Sequence, residues 1–236
     1  MAISRLPQDR WSWVEINQGA LRRNTRAFKN LLNPRQRLCC VVKADAYGHG
    51  AVACAKIMYA TGADMFAVAT VKEGIELREG GIVSPILLLS EPPAESIDLL
   101  LEHDIMPSVY TFEFALAYGE RASQLGKIGK YHMVIETGMN RIGVHYADVI
   151  EFRRSIHFHR GIQCDGVFTH FATADEQSGW DYKLQCKRFD EAVAAMKDAG
   201  FECGIVHCDN TPASILDPST HYDMIRAGIG LYGLQP

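Results

Sequence analysis

The sequence of 236 residues predicts an α/β protein whose strands close into a (β/α)₈ barrel of the TIM type. Short apolar segments alternate with longer amphipathic ones along the chain, which indicates parallel strands joined by right-handed crossovers. Eight such units at this length fit a closed barrel. An open doubly wound sheet is the alternative, but no GxGxxG motif follows the first strand, which weakens it.

The first predicted element is a strand over residues 11–16, where apolar and polar residues alternate. Asn17 is expected to cap a helix over residues 18–32, and Pro34 to end it. The barrel strands are short apolar runs at residues 38–43, 65–69, 86–90, 106–110, 131–136, 165–170, 205–209 and 224–229. The intervening helices are predicted near residues 51–61, 71–80, 94–103, 112–124, 146–156, 180–199 and 211–216.

Composition excludes several classes of partner. A hydrophobic content of 47% and a net charge of −4 are those of an ordinary globular protein and give no reason to expect nucleic acid or an anionic membrane. The N-terminal segment has no apolar core of signal-peptide length, and no apolar run approaches the ~18 residues of a membrane span. The seven cysteines form no CxxC pair, so we expect reduced thiols in a cytoplasmic protein.

Polar side chains fall where the predicted strands end. Active sites of (β/α)₈ barrels lie at the carboxyl ends of the strands, so these side chains are expected to share one site. They are Lys43, Glu136, Arg141, His170, Asn210, Thr211 and Arg226, and Gly228 lies beside the last of them.

Lys43 is the candidate nucleophile. It follows a buried apolar run, residues 38–42, where loss of solvation lowers the pKa of an amine and makes it nucleophilic. That environment suits a Schiff base with an aldehyde cofactor, pyridoxal 5′-phosphate (PLP). Taken alone, the residue could equally be a surface lysine at a strand edge.

The segment around this lysine, VVKADAYGHG at residues 41–50, resembles the lysine motif of alanine racemases, which is close to VVKANAYGHG. The resemblance runs from about Trp13 to Pro236, and it lacks only the C-terminal β-domain of that family. It implies a PLP-dependent racemase of fold type III that interconverts L- and D-alanine for peptidoglycan precursors. Lys43 would then carry the cofactor and act as one of two bases, and Tyr47 would hydrogen-bond its phosphate.

A second segment, ETGMNRIG at residues 136–143, resembles the DTGMxRLG motif of the same family. Arg141 then matches the arginine that contacts the phenolic oxygen of PLP and the substrate carboxylate, a role that suits a fork of donors. Val134 stands where many members have a carbamylated lysine that steadies this arginine. We therefore expect another acceptor, such as an anion or a neighbouring side chain, to replace it.

Three more segments match the family. FTHFA at residues 168–172 resembles its THFA segment, which implies that His170 lies against the pyridine ring. HCDNTPA at residues 207–213 resembles HxANSAA, which implies that Asn210 and Thr211 bind the phosphate at a helix start. RAGIGLYG at residues 226–233 resembles RPGIALYG. Arg226 would then face the pyridine nitrogen, and Gly228 and Ile229 would offer backbone N–H groups to the phosphate.

The resemblance also frames what the whole protein would be. Residues 1–236 would form the N-terminal barrel domain of a truncated chain, able to bind PLP but poor at racemisation, because the second base is a tyrosine of the missing domain. The complete protein is expected to be a homodimer that acts on a small amino acid and needs no metal. The alternatives are a racemase of serine or another small amino acid, a non-catalytic single-domain protein of PLP homeostasis, and a barrel without cofactor.

Overall fold

The barrel strands alternate with helices through the computed structural model, which describes residues 14–176 and 178–235. The strands are β1 (Arg37–Val41), β2 (Met65–Val68), β3 (Ile86–Leu88), β4 (Ile105–Val109), β5 (Gly129–Glu136), β6 (Val144–His145), β7 (Ile162–Phe168), β8 (Ile205–His207) and β9 (Met224–Ala227). Their order is β8-β7-β5-β4-β3-β2-β1-β9, with parallel pairing throughout, and the short β6 pairs with β5. The predicted (β/α)₈ barrel is confirmed, and β6 is an addition that the sequence did not predict.

The barrel closes between β8 and β9 through one side chain. The backbone N–H of Asp223 donates to the carbonyl of Val206 at 3.0 Å. The N–H of Val206 donates in return to the Asp223 carboxylate at 2.9 Å. A carboxylate thus occupies the place that a strand carbonyl would have in a regular ladder, and the eight-stranded barrel is nearly closed.

The helices lie outside the strands, close to their predicted positions. They are α1 (Gln18–Asn30), α2 (Lys43–Gly48), α3 (Ala51–Tyr59), α4 (Val71–Glu79), α5 (Ile97–Glu102), α6 (Phe112–Gln124), α7 (Val149–Ile156), α8 (Trp180–Asp198) and α9 (Thr211–Leu216), with short 3₁₀ turns at Ala94–Ser96, Pro218–Thr220 and Ile229–Tyr232. Polar caps fix several starts: the Asn17 side chain accepts from the N–H of Ala20, as predicted, and Thr70 and Glu73 form a capping box.

Two expectations about the N-terminal part need correction. The strand predicted over residues 11–16 is absent from residues 14–16, and its first three positions lie outside the described residues. The first barrel strand ends at Val41, so Lys43 does not end it but begins α2. The reason is that the chain leaves the sheet in a tight helical turn directly after Val42, whose carbonyl accepts from the N–H of Ala46.

The apolar core has two parts. One lies between the sheet and the helices, and the other fills the barrel interior with Cys39, Val41, Met65, Ala67, Leu87, Met106, Val134, Phe168 and Met224. All seven cysteines are free, as expected for reduced thiols, and burial raises the pKa of the Cys39 thiol to about 12. In the described parts of the chain, no helix is both long and apolar enough to cross a membrane.

Candidate active site

A cavity of about 570 Å³ opens at the carboxyl ends of the strands, where the sequence predicted the site. All ten residues predicted to share the site line this cavity: Lys43, Tyr47, Glu136, Arg141, His170, Asn210, Thr211, Arg226, Gly228 and Ile229. Val41, Val134 and Phe168, from the interior of the barrel, form an apolar part of its wall. One space therefore brings together an amine, two guanidinium groups and several hydroxyls.

Helix α2 places the lysine and the tyrosine on this cavity by an unusual backbone. The four residues from Ala44 to Tyr47 have φ between 51° and 54° and ψ between 37° and 51°, which is a left-handed helical turn. For L-amino acids this conformation costs roughly 1–2 kcal/mol per residue, so other contacts must hold it. The sequence ADAY contains no glycine in this stretch and did not predict the turn.

Two carboxylates hold the left-handed turn. Glu73 accepts a hydrogen bond from the N–H of Ala44 at 2.8 Å while its other oxygen accepts from the N–H of Ala69. The Asp45 side chain accepts from the N–H of Ala51, the first residue of α3, at 2.7 Å. These bonds tie α2 to the helices on both sides and fix the point from which Lys43 starts.

A group of hydroxyls and glycine backbone forms one end of the cavity. The N–H of Gly228 donates to Thr211 Oγ1 at 3.0 Å, and the N–H of Gly230 does so at 3.4 Å. A Cβ added to Gly228 would lie 3.1 Å from Tyr47 Oη and 3.7 Å from Thr211 Oγ1. Glycine therefore lets the backbone approach both hydroxyls, and the Asn210 side chain caps α9 beside them.

Arg226 is a fully enclosed cation, only 3% exposed. Its Nη2 donates to the carbonyls of Thr169 at 2.8 Å and Cys208 at 2.9 Å and lies 3.4 Å from Nδ1 of His170. Its Nη1 lies 2.7 Å from Nδ1 of His207, and the guanidinium sits over the ring of Phe168. Neutral groups hold this charge in place, so it stays directed toward the cavity wall.

The histidines around this arginine are neutral. Burial and the charges of Arg226, Arg141 and Lys43 lower the pKa of His170 to about 3. Burial and Arg226 also keep the pKa of His207 well below its usual range. At neutral pH these rings therefore act as hydrogen-bond partners and carry no charge.

Arg141 differs from Arg226 in lying exposed at the cavity rim. Glu136 accepts from the backbone N–H of Gly138 and, at 3.4 Å, from that of Arg141, and so shapes the loop that carries the arginine. Within residues 14–176 and 178–235 no side chain accepts from the guanidinium of Arg141. The apolar Val134 is buried in the wall, so the acceptor expected in place of a carbamylated lysine is not among these residues.

The sequence did not single out His132, a buried residue that contacts the surroundings of Arg226 through His207. It lies inside β5, fully buried, and its Nδ1 is 2.8 Å from Nε2 of His207. The only signal in the sequence was a histidine within an otherwise apolar strand, YHMVIE. Asp175 and Met139 also line the cavity and were not predicted.

The fold and the cavity define a class of protein, a parallel (β/α)₈ barrel with a lysine-containing polar site at the carboxyl ends of its strands. Within that class, the protein-family model described as alanine racemase, N-terminal domain, matches residues 16–236. The chain belongs to the alanine racemase family, as the sequence motifs predicted.

Individual relatives agree with this assignment. The alanine racemase of Carboxydothermus hydrogenoformans is 42% identical over 224 residues, which are 95% of this chain and 60% of the relative. The alanine racemase of Clostridium difficile superposes with a TM-score of 0.88 at 39% identity, over 92% of this chain and 57% of that structure. The Bacillus anthracis enzyme with bound L-Ala-P has a TM-score of 0.91 at 32% identity, over 98% and 60%. The chain thus spans about 60% of the length of such curated relatives, and none of these matches favours a non-catalytic homeostasis protein.

Proposed function

We propose that this chain is the cofactor-binding barrel domain of a PLP-dependent alanine racemase. The observation that carries the proposal is the shared cavity, in which Lys43 faces the same space as the hydroxyl-and-glycine group and the enclosed Arg226. The relatives, all named alanine racemases, support alanine as the substrate. The proposal extends to a homodimer for the whole protein and to residues 1–236 as one domain.

The residues present fit PLP on three counts. The absence of a side chain at Gly228 leaves a cradle between the hydroxyls of Tyr47 and Thr211, as a phosphate requires. Lys43 supplies a primary amine for the aldehyde, half-buried in the same cavity. Arg226 supplies a buried donor that suits a ring nitrogen, because a guanidinium has donors only.

Each residue then has a separate task. Tyr47, Asn210, Thr211, Gly228 and Ile229 would hold the phosphate, Arg226 and His170 the ring, and Arg141 the ring oxygen and the substrate carboxylate. When bound, PLP withdraws electrons from the α-carbon of an attached amino acid and so acidifies its α-hydrogen. A guanidinium has donors only, so Arg226 could not take a proton from the ring nitrogen and would leave that nitrogen unprotonated, which would favour brief proton exchange over transamination.

Proton exchange on one face of the substrate is assigned to Lys43. Its Nζ would take the α-proton or return one, and the apolar wall around Val41, Val134 and Phe168 would keep water from competing. Racemisation needs a second base on the opposite face. In the whole protein we assign that role to a tyrosine of a further domain of the partner subunit, as the family resemblance implies.

The anchor can be tested directly on this chain. After incubation with PLP, the absorption spectrum should show a lysine-bound chromophore, and borohydride reduction followed by peptide mapping should place the pyridoxyl mass on Lys43. Lys43→Ala should abolish the band, whereas Lys72→Ala, on the exposed surface of α4, should leave it unchanged. Label that is spread over surface lysines, or that persists in Lys43→Ala, would exclude the assignment.

The substrate is tested with the complete protein. Turnover on a panel of small amino acids should be fastest with alanine. A higher kcat/KM for serine would instead support the alternative of a serine racemase in the same family.

A further inference from the structure

The side chains of Arg226, His207 and His132 form a continuous hydrogen-bonded row through the barrel. Nη1 of Arg226 lies 2.7 Å from Nδ1 of His207, and Nε2 of His207 lies 2.8 Å from Nδ1 of His132. All three are buried: Arg226 is 3% exposed and both rings are 0% exposed. This row leads from Arg226 at the cavity wall into the middle of β5, and neither histidine has been assigned to the cofactor or the substrate.

Only one placement of the protons on the two histidine rings satisfies the hydrogen bonds of this row. A guanidinium only donates, so Nδ1 of His207 must be bare and accept. A neutral imidazole carries one proton, so that of His207 is on Nε2 and is donated to Nδ1 of His132. The proton of His132 is then on its Nε2, an atom that is buried and has no hydrogen-bond partner among the described residues.

Both rings are held neutral by their surroundings. Burial is the main cause for both rings. For His132 the charge of Asp165 opposes it, but burial together with the charges of Arg226 and Arg37 still lowers the pKa to about 4. For His207 burial and the charge of Arg226 lower the pKa well below its usual range. If Nδ1 of His207 were also protonated, His207 could no longer accept a hydrogen bond from Arg226. The arrangement is therefore stable at neutral pH.

Packing fixes the two rings in place. His132 pairs in register with Gly166 on β7, and a Cβ on Gly166 would lie 2.5 Å from both Cε1 and Nδ1 of the His132 ring. The absence of a side chain at Gly166 thus provides the space for this ring. His207 in turn stacks on Phe168, with ring centroids 4.8 Å apart and planes 11° apart.

We propose that His132 is a positioning residue: it fixes the tautomer of His207 and, through that ring, the orientation of the Arg226 guanidinium. If the acceptor on His132 is removed, His207 is free to move its proton to Nδ1. Two donors would then oppose each other at 2.7 Å, and Arg226 would lose one of its four acceptors. The consequence for the cofactor ring rests on the proposed function, whereas the tautomers do not.

The first test uses the chain without cofactor. Long-range ¹H–¹⁵N spectra of histidine-labelled protein should show His207 and His132 both protonated on Nε2 and bare on Nδ1, with no change between pH 6 and pH 8. A protonated Nδ1 on His207 in the wild type would overturn the proposal, and this measurement needs no variant.

The second test compares matched variants. His132→Asn places an amide oxygen near the former Nδ1, whereas His132→Leu offers no acceptor at a similar size. His207 should stay protonated on Nε2 in His132→Asn and become a mixture of tautomers in His132→Leu. His157→Asn, at the exposed end of α7, should behave as the wild type. If His132→Leu does not fold, Gly166→Ala, which displaces the ring, takes its place.

The third test measures the effect on the site with 4′-deoxypyridoxine 5′-phosphate, a probe that has no aldehyde and so cannot bond Lys43. With Arg226 in place, the ring nitrogen of the bound probe should resist protonation; in His132→Leu its absorption should titrate at a higher pH than in the wild type and in His132→Asn. Unchanged tautomers and an unchanged titration in His132→Leu would refute the positioning role. Failure of the probe to bind the wild type would refute the proposed function. The tautomers measured in the first two tests would then decide whether His132 positions His207 and Arg226.

Discussion

Thr211 shows how one residue links the backbone to a ligand site. Its Oγ1 accepts from the N–H groups of Gly228 and Gly230 and so holds the chain after β9 against the start of α9. Serine at this position, as in the family motif, keeps the oxygen. The threonine methyl adds packing, since a Cβ on Gly230 would meet it at 2.7 Å.

We expect Thr211→Val to lower the free energy of unfolding by about 1–3 kcal/mol, because it leaves the buried N–H of Gly228 and the partly buried N–H of Gly230 without an acceptor. Thr211→Ser should cost less than about 1 kcal/mol and retain phosphate binding. Urea unfolding, together with inorganic phosphate as a competitor of PLP, measures both effects. Equal stability of the two variants would show that the hydroxyl bonds contribute little.

At the residue scale, the sequence located the site because the residues concerned follow strand ends, and strand ends of a parallel barrel meet on one face. Lys43, Thr211 and Arg226 could be placed at the cavity in this way. His132 could not, because it lies within a strand and its partner His207 is 75 positions away in the sequence. Only the three-dimensional pairing of β5 with β7, and of β7 with β8, brings the two rings together.

The left-handed turn of α2 is, with the short strand β6, an element that the sequence did not predict. The segment ADAY has the composition of an ordinary right-handed helix. The strain of its left-handed conformation is offset by hydrogen bonds to the carboxylates of Glu73 and Asp45. Glu73 is 29 positions from its donor Ala44, and Asp45 is six positions from its donor Ala51, so neither bond has the spacing of a standard helix cap. Most other elements could be predicted, since their caps and apolar faces are local features of the sequence.

Asp45 offers a test of how this element is held. Asp45→Asn, which restores the usual residue of the family motif, keeps the oxygen that accepts from Ala51 and should change stability by less than about 0.5 kcal/mol. Asp45→Ala should cost about 1 kcal/mol, as for the loss of a helix cap, and should weaken PLP binding because Lys43 and Tyr47 lie on the same turn. Urea unfolding and a PLP titration by absorbance measure the two effects. If Asp45→Ala bound PLP as tightly as the wild type, the Asp45 bond would not be needed to position Lys43 and Tyr47 for the cofactor.

Closure of the whole barrel depends on Asp223. Its carboxylate replaces a ladder acceptor for the N–H of Val206, while its own backbone pairs with both Val206 and Arg37. We expect Asp223→Ala to lower the free energy of unfolding by about 1–2 kcal/mol and to increase hydrogen exchange at β8 and β9. Asp223→Asn keeps an oxygen acceptor and should retain most of the protection. Exchange that rises uniformly over the barrel would argue against a local role in closure.

The buried histidines make the whole molecule sensitive to acid. His132 and His170, with pKa values lowered to about 4 and about 3, bind protons in the unfolded chain from about pH 6.5 downward but not in the folded one. Stability is therefore lost as the pH falls from 6.5 toward 4. Asp209 opposes this loss, because burial raises its pKa to about 6 and the folded state takes up its proton first. Since Asp209 is one group against several histidines, including His207, the net effect is destabilisation.

Removing one of these histidines should reduce the acid sensitivity by a measurable amount. In His132→Asn the loss of unfolding free energy between pH 7 and pH 5 should be smaller than in the wild type by about 2 kcal/mol, the share expected for a group whose pKa falls from 6.5 to about 4. His157→Asn, at an exposed position, should keep the wild-type pH dependence. Urea titrations at a series of pH values give the slopes. A slope in His132→Asn equal to that of the wild type would mean that folded His132 takes up its second proton over the same pH range as in the unfolded chain, and Nδ1 of His132 could then not accept from His207 below about pH 6.5.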